Sequence, residues 1–248
     1  MALKSSILIV AGTDPTGGAG IIRDIETAAH FRIKSNLAIT SVNVQDDNHV
    51  AAIVPMDGVF VAAQMQIALK AKQINAIKIG MTGTQDIIKE ICHTLKHYNR
   101  IPVVLDPVLS ASSGGKLVVE KIVDTMINEL FPHTEILTPN LEELSILSQS
   151  PHASHHQEAI QQARKLLALG PRYILIKGGH ADGPLATDSL VGKNEIINIS
   201  TPRLETKMRG TGCLLSSAIA VHLALNNTIT EAVKNAKTYT HDILLKNF

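Results

Sequence analysis

The sequence predicts an α/β protein with a mostly parallel, doubly wound central sheet. Three observations predict it: short strands alternate with helical stretches, the strands are apolar throughout, and the rhythm breaks into a hairpin in the C-terminal half. Ser6–Ala11, Leu37–Val44, Ala76–Ile79, Pro102–Leu105, Glu135–Leu137 and Tyr173–Ile176 read as strands. Near-continuous apolar runs are what strands buried on both faces require. Ala19–His30, Val59–Ala71, Asp86–His97, Val118–Leu130, Leu141–Leu147 and Gln157–Leu169 carry helical spacing. Such alternation implies right-handed crossovers, with helices on both faces of the sheet. After Lys177, Asp188–Val191 and Glu195–Ile199 flank Gly192-Lys193-Asn194 and read as a hairpin. Helices Gly212–Leu225 and Thr230–Leu245 follow. A (β/α)8 barrel needs eight repeating units, so this pattern favours an open three-layer αβα sheet. No low-complexity linker or internal repeat divides residues 1–248, and one domain is expected; Ser148–His156 is loop-like but too short to separate two.

Composition narrows the function classes. The 248 residues are 45% hydrophobic and 18% charged, with 23 basic and 22 acidic groups giving a net charge of +1. That apolar content excludes intrinsic disorder, and the balanced charge gives no electrostatic case for nucleic acid or membrane partners. Cys92 and Cys213 are too few for a disulfide or zinc framework. The N-terminus lacks a signal-peptide pattern and no run reaches the roughly 18 apolar residues of a membrane span, so a cytoplasmic protein is expected. Aromatics are only 3% and Trp is absent, so the core must be aliphatic.

Ligands of parallel α/β sheets sit beyond the carboxyl ends of the strands. Those ends read Gly12-Thr13-Asp14-Pro15-Thr16-Gly17-Gly18-Ala19-Gly20, Gln45-Asp46-Asp47-Asn48, Gly80-Met81, Asp106-Pro107-Val108, Thr138-Pro139-Asn140 and Lys177-Gly178-Gly179-His180. Each alone is ordinary loop chemistry. Six on one edge indicate a single ligand-binding face. The first loop matches neither G-x-G-x-x-G nor a P-loop, because Gly18 and Ala19 stand where Lys and Ser/Thr belong. Its Asp14 would repel phosphate and suits a neutral hydroxyl- or amine-bearing substrate; a helix cap is the other reading.

The second glycine loop, Arg209-Gly210-Thr211-Gly212-Cys213, opens an apolar helix. Converging backbone N–H groups and the helix dipole make an anion site there, with Lys207 and Arg209 as cations and no intruding carboxylate. Cys213 falls in the first helical turn, where the dipole is expected to lower the thiol pKa. Cys92 reads as core. Asn140 and Glu143 read as a capping box, or as part of a magnesium environment shared with Asp106. Lys177 reads as a charge for phosphate oxygens or as a solvated strand end. His152, His155 and His156 read as a polar loop rather than a metal site.

Taken together, Ala11–Gly20, the Gln45 strand end, Lys78-Ile79-Gly80-Met81, Leu105-Asp106-Pro107-Val108, Thr138-Pro139-Asn140-Leu141-Glu142-Glu143, Lys177-Gly178-Gly179-His180 and Gly210-Thr211-Gly212-Cys213 resemble the hydroxymethylpyrimidine/phosphomethylpyrimidine kinases. These belong to the ribokinase-like superfamily and act in thiamine biosynthesis. The resemblance runs in order from about residue 6 to 225. It implies a ribokinase-like fold, ATP and Mg²⁺ as cofactors, and a homodimer. It places the pyrimidine on Gly12, Asp24, Gln45, Met81 and Val108. It also implies Asn140 and Glu143 for magnesium and phosphate, Lys177 as the phosphate-contacting lysine, Gly210–Gly212 as the anion hole, and Cys213 as the general base. Met208-Arg209 replaces the family's usual Thr-His, and Asp46-Asp47 follows Gln45 where Asn is usual. A pyridoxal or pyridoxine kinase and a catalytically silent ligand-binding protein are the alternatives. With no Trp to stack on, a bound ring would rest on Met81, Val108 and hydrogen bonds such as those from Gln45.

Overall fold

The computed structural model describes residues 5–46, 49–71, 73–109, 120–178, 183–205 and 208–246. Its strands are β1 (Ser6–Ala11), β2 (Lys34–Ile39), β3 (Ser41–Gln45), β4 (Val50–Pro55), β5 (Ala76–Ile79), β6 (Val103–Leu105), β7 (Ile136–Leu137), β8 (Tyr173–Ile176), β9 (Leu185–Val191) and β10 (Ile196–Pro202). Its helices are α1 (Gly20–His30), α2 (Gly58–Ala71), α3 (Gln85–Leu95), α4 (Glu120–Thr125), α5 (Leu141–Leu147), α6 (His156–Leu167), α7 (Thr211–Ala224) and α8 (Ile229–Lys246). Eight strands form one sheet in the order β10-β9-β8-β7-β6-β5-β1-β2, and β3 pairs with β4 in a separate ribbon. From β2 to β8 every pairing in the sheet is parallel, while β9 and β10 are antiparallel. The order reverses between β1 and β5, and a crevice opens beyond the strand ends at such a switch point.

The apolar strands serve two cores. In β1, Leu8 and Val10 pack toward α2, α3 and α6, while Ile7, Ile9 and Ala11 pack toward α1, α7 and α8. That double burial is why the run SILIVA shows no alternation. Helix α7 lies so deep that Leu214 through His222 are all buried, which explains a helix without a polar face. Cys92 is core, at 1% exposure. Among the described residues no helix is long and apolar enough to cross a membrane.

Three elements depart from expectation. Leu37–Val44 is not one strand. Thr40 is fully buried, its N–H donating to the Ala11 carbonyl at 3.0 Å and its hydroxyl to the Met81 carbonyl at 2.6 Å. The chain turns on that node, so β2 stays in the sheet and β3 leaves it to pair with β4, a strand that apolar patterning did not reveal. The expected helix Val118–Leu130 is described from Glu120; it loosens into a π-helical turn at Met126–Leu130 and ends in a 3-10 turn at Phe131–His133. Pro132 has no N–H to continue it. The hairpin is longer than expected and joins the main sheet, β9 pairing with β8. His155 caps α6, accepting from the Glu158 N–H, as a polar-loop histidine can.

His222 makes stability depend on pH. Its ring packs on Phe31 with centroids 4.9 Å apart, and Nδ1 lies 3.0 Å from Asn227 Oδ1. Burial holds its pKa below the ordinary histidine value, as it does for His133. Protons therefore bind the unfolded chain more readily. The stabilisation is present above about pH 6.5 and is lost as the pH falls below that value. The expected outcome is a Tm that drops between pH 7.5 and 5.5, with a shallower slope in His222→Leu; parallel slopes would remove His222 from the account.

Candidate active site

The two glycine loops meet face to face. Gly210 is the N-cap of α7 at φ 74°, and a side chain there would strike the Gly18 carbonyl and come within 3.0 Å of the Ala19 α-carbon. Only glycine combines that left-handed conformation with so close an approach. Asp14 is fully buried. Its Oδ1 accepts from the Thr16 N–H at 3.0 Å and the Thr16 hydroxyl at 2.9 Å, and its Oδ2 pairs with Arg209 Nη2 at 2.9 Å. Two expectations are corrected here. Asp14 does not cap α1, whose N-cap makes no side-chain bond. Arg209 is not a cation reserved for phosphate, since it latches one loop to the other. Lys207, Gly179 and His180 lie outside the described residues.

Past the latch, Leu214 makes the first backbone bond of α7, to the Gly210 carbonyl at 2.9 Å. The N–H groups of Thr211, Gly212 and Cys213 therefore have no intrahelical acceptor. Lys177 stands opposite, its Nζ 3.0 Å from Asp106 Oδ1 and 3.5 Å from Glu143 Oε2. A side chain on Gly212 would meet that Nζ at 3.3 Å and Asp106 Oδ2 at 3.5 Å, so the glycine lets the helix end approach both groups. A carboxylate does stand beside the loop, contrary to expectation, but Lys177 compensates it. The Lys177 side chain is 15% exposed, so it is not a solvated strand end. Backbone pairing sets the spacing: Asn140 bridges Lys177 in parallel, and the Asn140–Glu143 capping box fixes the start of α5.

Burial opposes charge on all three groups. At Asp106, Lys177 and Lys78 outweigh burial and hold the carboxyl below its usual value. At Glu143 burial wins and the carboxyl is raised. Lys177 is raised against the burial effect by Asp106 and Glu143, and remains a cation. Among the described residues no cluster of three metal-ligating side chains occurs. A pair of buried carboxylates at a phosphate cradle nonetheless fits Mg²⁺, which takes one or two carboxylates and completes its shell with waters and substrate phosphates.

Cys213 sits on a two-rung ladder between α1 and α7. At the upper rung the Gly20 backbone N–H lies near enough to its sulfur to favour the thiolate. One turn further along each helix, the Ser217 hydroxyl donates to Asp24 Oδ1 at 2.7 Å. Lys78 Nζ closes the base of the ladder on Asp24 Oδ2 at 2.7 Å, both side chains at 0% exposure. Asp24, which the resemblance places on the pyrimidine, here positions α1 against α7. The thiol is pushed up to about 11 by burial, which Lys78 offsets only in part. The expected lowering by the helix dipole is overturned, because desolvating a full charge outweighs the helix end's fraction of one. Sequence reasoning placed Lys78 in a motif but missed its pairing role, although a lysine inside the four-residue strand Ala76–Ile79 was a signal.

A cavity of about 220 Å³ opens beyond the ends of β5 and β6, lined by Ile53, Pro55, Met81, Thr82, Gly83, Val108, Leu109 and Ile122. Met81 and Val108 were expected there. Gly12 borders it, since a side chain on Gly12 would lie 3.6 Å from Met81 Sδ. Gln45 is not among the lining residues; it ends β3, past an irregularity in pairing at Val44 and Gln45. Ile53 and Pro55 come from the unforeseen β4.

The model of the phosphomethylpyrimidine kinase family matches residues 14–248. The hydroxymethylpyrimidine/phosphomethylpyrimidine kinase of Escherichia coli K12 is 36% identical over 242 residues, covering 97% of this chain and 91% of that protein. Among solved structures, a phosphomethylpyrimidine kinase from Clostridium difficile 630 superposes with TM-score 0.84 at 34% identity, covering 97% of this chain and 99% of that one. An ADP complex of Bacillus subtilis pyridoxal kinase gives TM-score 0.88 at 29% identity over 94% and 89% of the two chains. The fold is that of these kinases, and by the match to its model and the extent of these identities the chain belongs to the phosphomethylpyrimidine kinase family.

Proposed function

We propose that this chain transfers the terminal phosphoryl group of ATP to the hydroxymethyl oxygen of 4-amino-5-hydroxymethyl-2-methylpyrimidine, and then to the phosphate of the resulting monophosphate. One observation carries the reading: the helix cradle at Gly210–Cys213 faces Lys177 and Asp106, and the segment after β6 that begins with Asp106 continues to Val108, which lines a cavity together with Met81. The family model and the relatives named for pyrimidine phosphorylation favour this substrate, at 36% identity against 29% for the Bacillus subtilis pyridoxal kinase.

In this reading the backbone N–H groups of Thr211, Gly212 and Cys213 hold the equatorial oxygens of the transferring group, and Lys177 neutralises their charge. Asp106 orients Lys177, assisted by Thr138 at 3.3 Å. Bound with the nucleotide, Mg²⁺ would supply charge neutralisation and phosphate alignment, held through Glu143 and Asp106. Cys213 accepts the hydroxyl proton. With its thiol near 11, only about one molecule in ten thousand carries a thiolate at pH 7. The proton therefore leaves late, as a loose transition state permits, and the thiol first orients the hydroxyl. A cytoplasmic enzyme fits the two free cysteines. A homodimer fits the outer ribbon face, where Val42, Val44 and Val54 are 50–60% exposed.

Three outcomes are expected. Incubated with MgATP and each candidate substrate, the protein yields pyrimidine mono- and diphosphate by mass spectrometry; turnover of pyridoxal alone would overturn the assignment. Lys177→Met lowers kcat roughly 10²–10³-fold, the range for losing one oxyanion-stabilising group, with a smaller change in KM for the pyrimidine. In a Cys92→Ser background, iodoacetamide alkylation of Cys213 is slow at pH 8 and rises about tenfold per pH unit up to pH 10. A plateau below pH 8 would instead show a preformed thiolate.

A further inference from the structure

The strand end that carries Lys177 is held from both sides, and one hold is a buried carboxylate not yet given a role. On the β7 side the Lys177 N–H donates to the Pro139 carbonyl at 2.9 Å. On the β9 side the ladder stops at Ile176 opposite Ser189. One register step further puts Asp188 opposite Lys177, and opposite residues of an antiparallel pair share a face. It is the face of Leu175 and Leu190, which belong to the core under α7 and α8. Asp188 nonetheless engages other groups. Its Oδ1 accepts from the Gly178 N–H at 2.8 Å, and its Oδ2 pairs with Lys237 Nζ of α8 at 2.9 Å. Asp188 is 2% exposed and Lys237 8%. A side chain on Gly178 would strike the Thr187 carbonyl, so only glycine lets the backbone lie this close to β9. A buried ion pair is weak evidence of added stability, since desolvation offsets the attraction. This one aims an acceptor at the residue after Lys177 and leaves Lys177 Nζ to Asp106 and Glu143.

We propose that Asp188 is a positioning residue for Lys177. It fixes the Gly178 N–H, and with the Pro139 carbonyl on the other side it sets the backbone from which Lys177 reaches the cradle at Gly212. Lys237 is its anchor: by engaging Oδ2 it keeps a third carboxylate from drawing Lys177 away from Asp106. The C-terminal helix α8 thereby joins the frame of the site through one side chain. This rests on the phosphoryl-transfer reading above and goes beyond it. A point charge stabilises a transferring phosphoryl group only where it is held in place. The lysine stem is long and flexible, so its aim depends on the backbone beneath it and on its carboxylate partners.

Two double variants test this, since both remove the buried charges and they differ in the acceptor offered to Gly178. Asp188→Asn/Lys237→Met keeps an oxygen for that amide. Asp188→Val/Lys237→Met offers none, and it replaces the ion pair by apolar residues of similar size, a change that folded proteins often tolerate. The asparagine variant is expected to stay within about threefold of the wild type in kcat. The valine variant is expected to lose roughly tenfold to a hundredfold in kcat, with Tm held. Titration calorimetry adds a readout that a merely structural role would not move. The valine variant should weaken a non-hydrolysable ATP analogue about tenfold and ADP less than about threefold, because Lys177 serves the terminal phosphate. Wild-type kcat in the valine variant would overturn the assignment, as would equal losses in both double variants, equal weakening of both nucleotides, or a Tm loss that accounts for the weakened binding. Calorimetry needs no turnover, so it separates this role from the choice of substrate. A wild type that leaves the pyrimidine unphosphorylated refutes that substrate, while selective loss of the ATP analogue in the valine variant still supports Asp188.

Discussion

The Asp24–Lys78 ion pair is the interaction on which the site depends. It joins α1, α7 and β5 at one buried point, where Ser217, Asp24 and Lys78 are sealed from solvent. Burying two charges costs more than their attraction returns unless the geometry is tight and further hydrogen bonds satisfy them. Here both conditions hold. The pair fixes the register of α1 against α7, and that register sets Gly20 against Cys213 one turn above. It also decides that Gly210 lies on Gly18. The two glycine loops thus face one crevice because a charge network, rather than apolar packing alone, fixes the helices that carry them.

Charge continues along the strand ends in a second buried group. Asp106, Lys177 and Glu143 share one cation between two carboxylates. That leaves negative charge beside the cradle unless an additional cation arrives, which suits a site that receives a nucleotide with its metal. Cys213 lies between the two networks, and Asp24 and Asp106 raise its thiol while Lys78 lowers it. The low aromatic content also finds its place. The sheet packs Ile, Leu and Val on both faces, and the cavity holds its ring with methionine, valine, leucine and isoleucine.

Much of this was legible in the sequence because a parallel sheet writes itself plainly. Strands β1, β5 and β8 match their expected spans residue for residue, since each is a short apolar run ended by Gly or a charge. Lys177, Asp106, Asn140 and Glu143 also converge at and just past their strand ends, and Gly212 of the second glycine loop approaches Lys177 and Asp106 there. What was not legible depended on distant contacts. The break at Thr40 is set by hydrogen bonds to Ala11 and Met81, not by a turn residue. Without that break β4 has no partner, and Ile53 and Pro55 have no cavity to line. Pairing of Arg209 with Asp14, and the raised Cys213 thiol, are likewise tertiary: local patterning places a cation and a helix end but not the carboxylate or the burial that changes their meaning.

The central claim is that the loops meet to hold a transferring phosphoryl group over Cys213. A crystal structure with a non-hydrolysable ATP analogue, magnesium and the pyrimidine tests it directly. The terminal phosphate is expected within about 2.7–3.1 Å of the backbone nitrogens at Gly212 and Cys213, with Lys177 on its opposite side and the hydroxymethyl oxygen beside the sulfur. A terminal phosphate bound away from Gly210–Cys213, or a substrate hydroxyl turned away from Cys213, would contradict it.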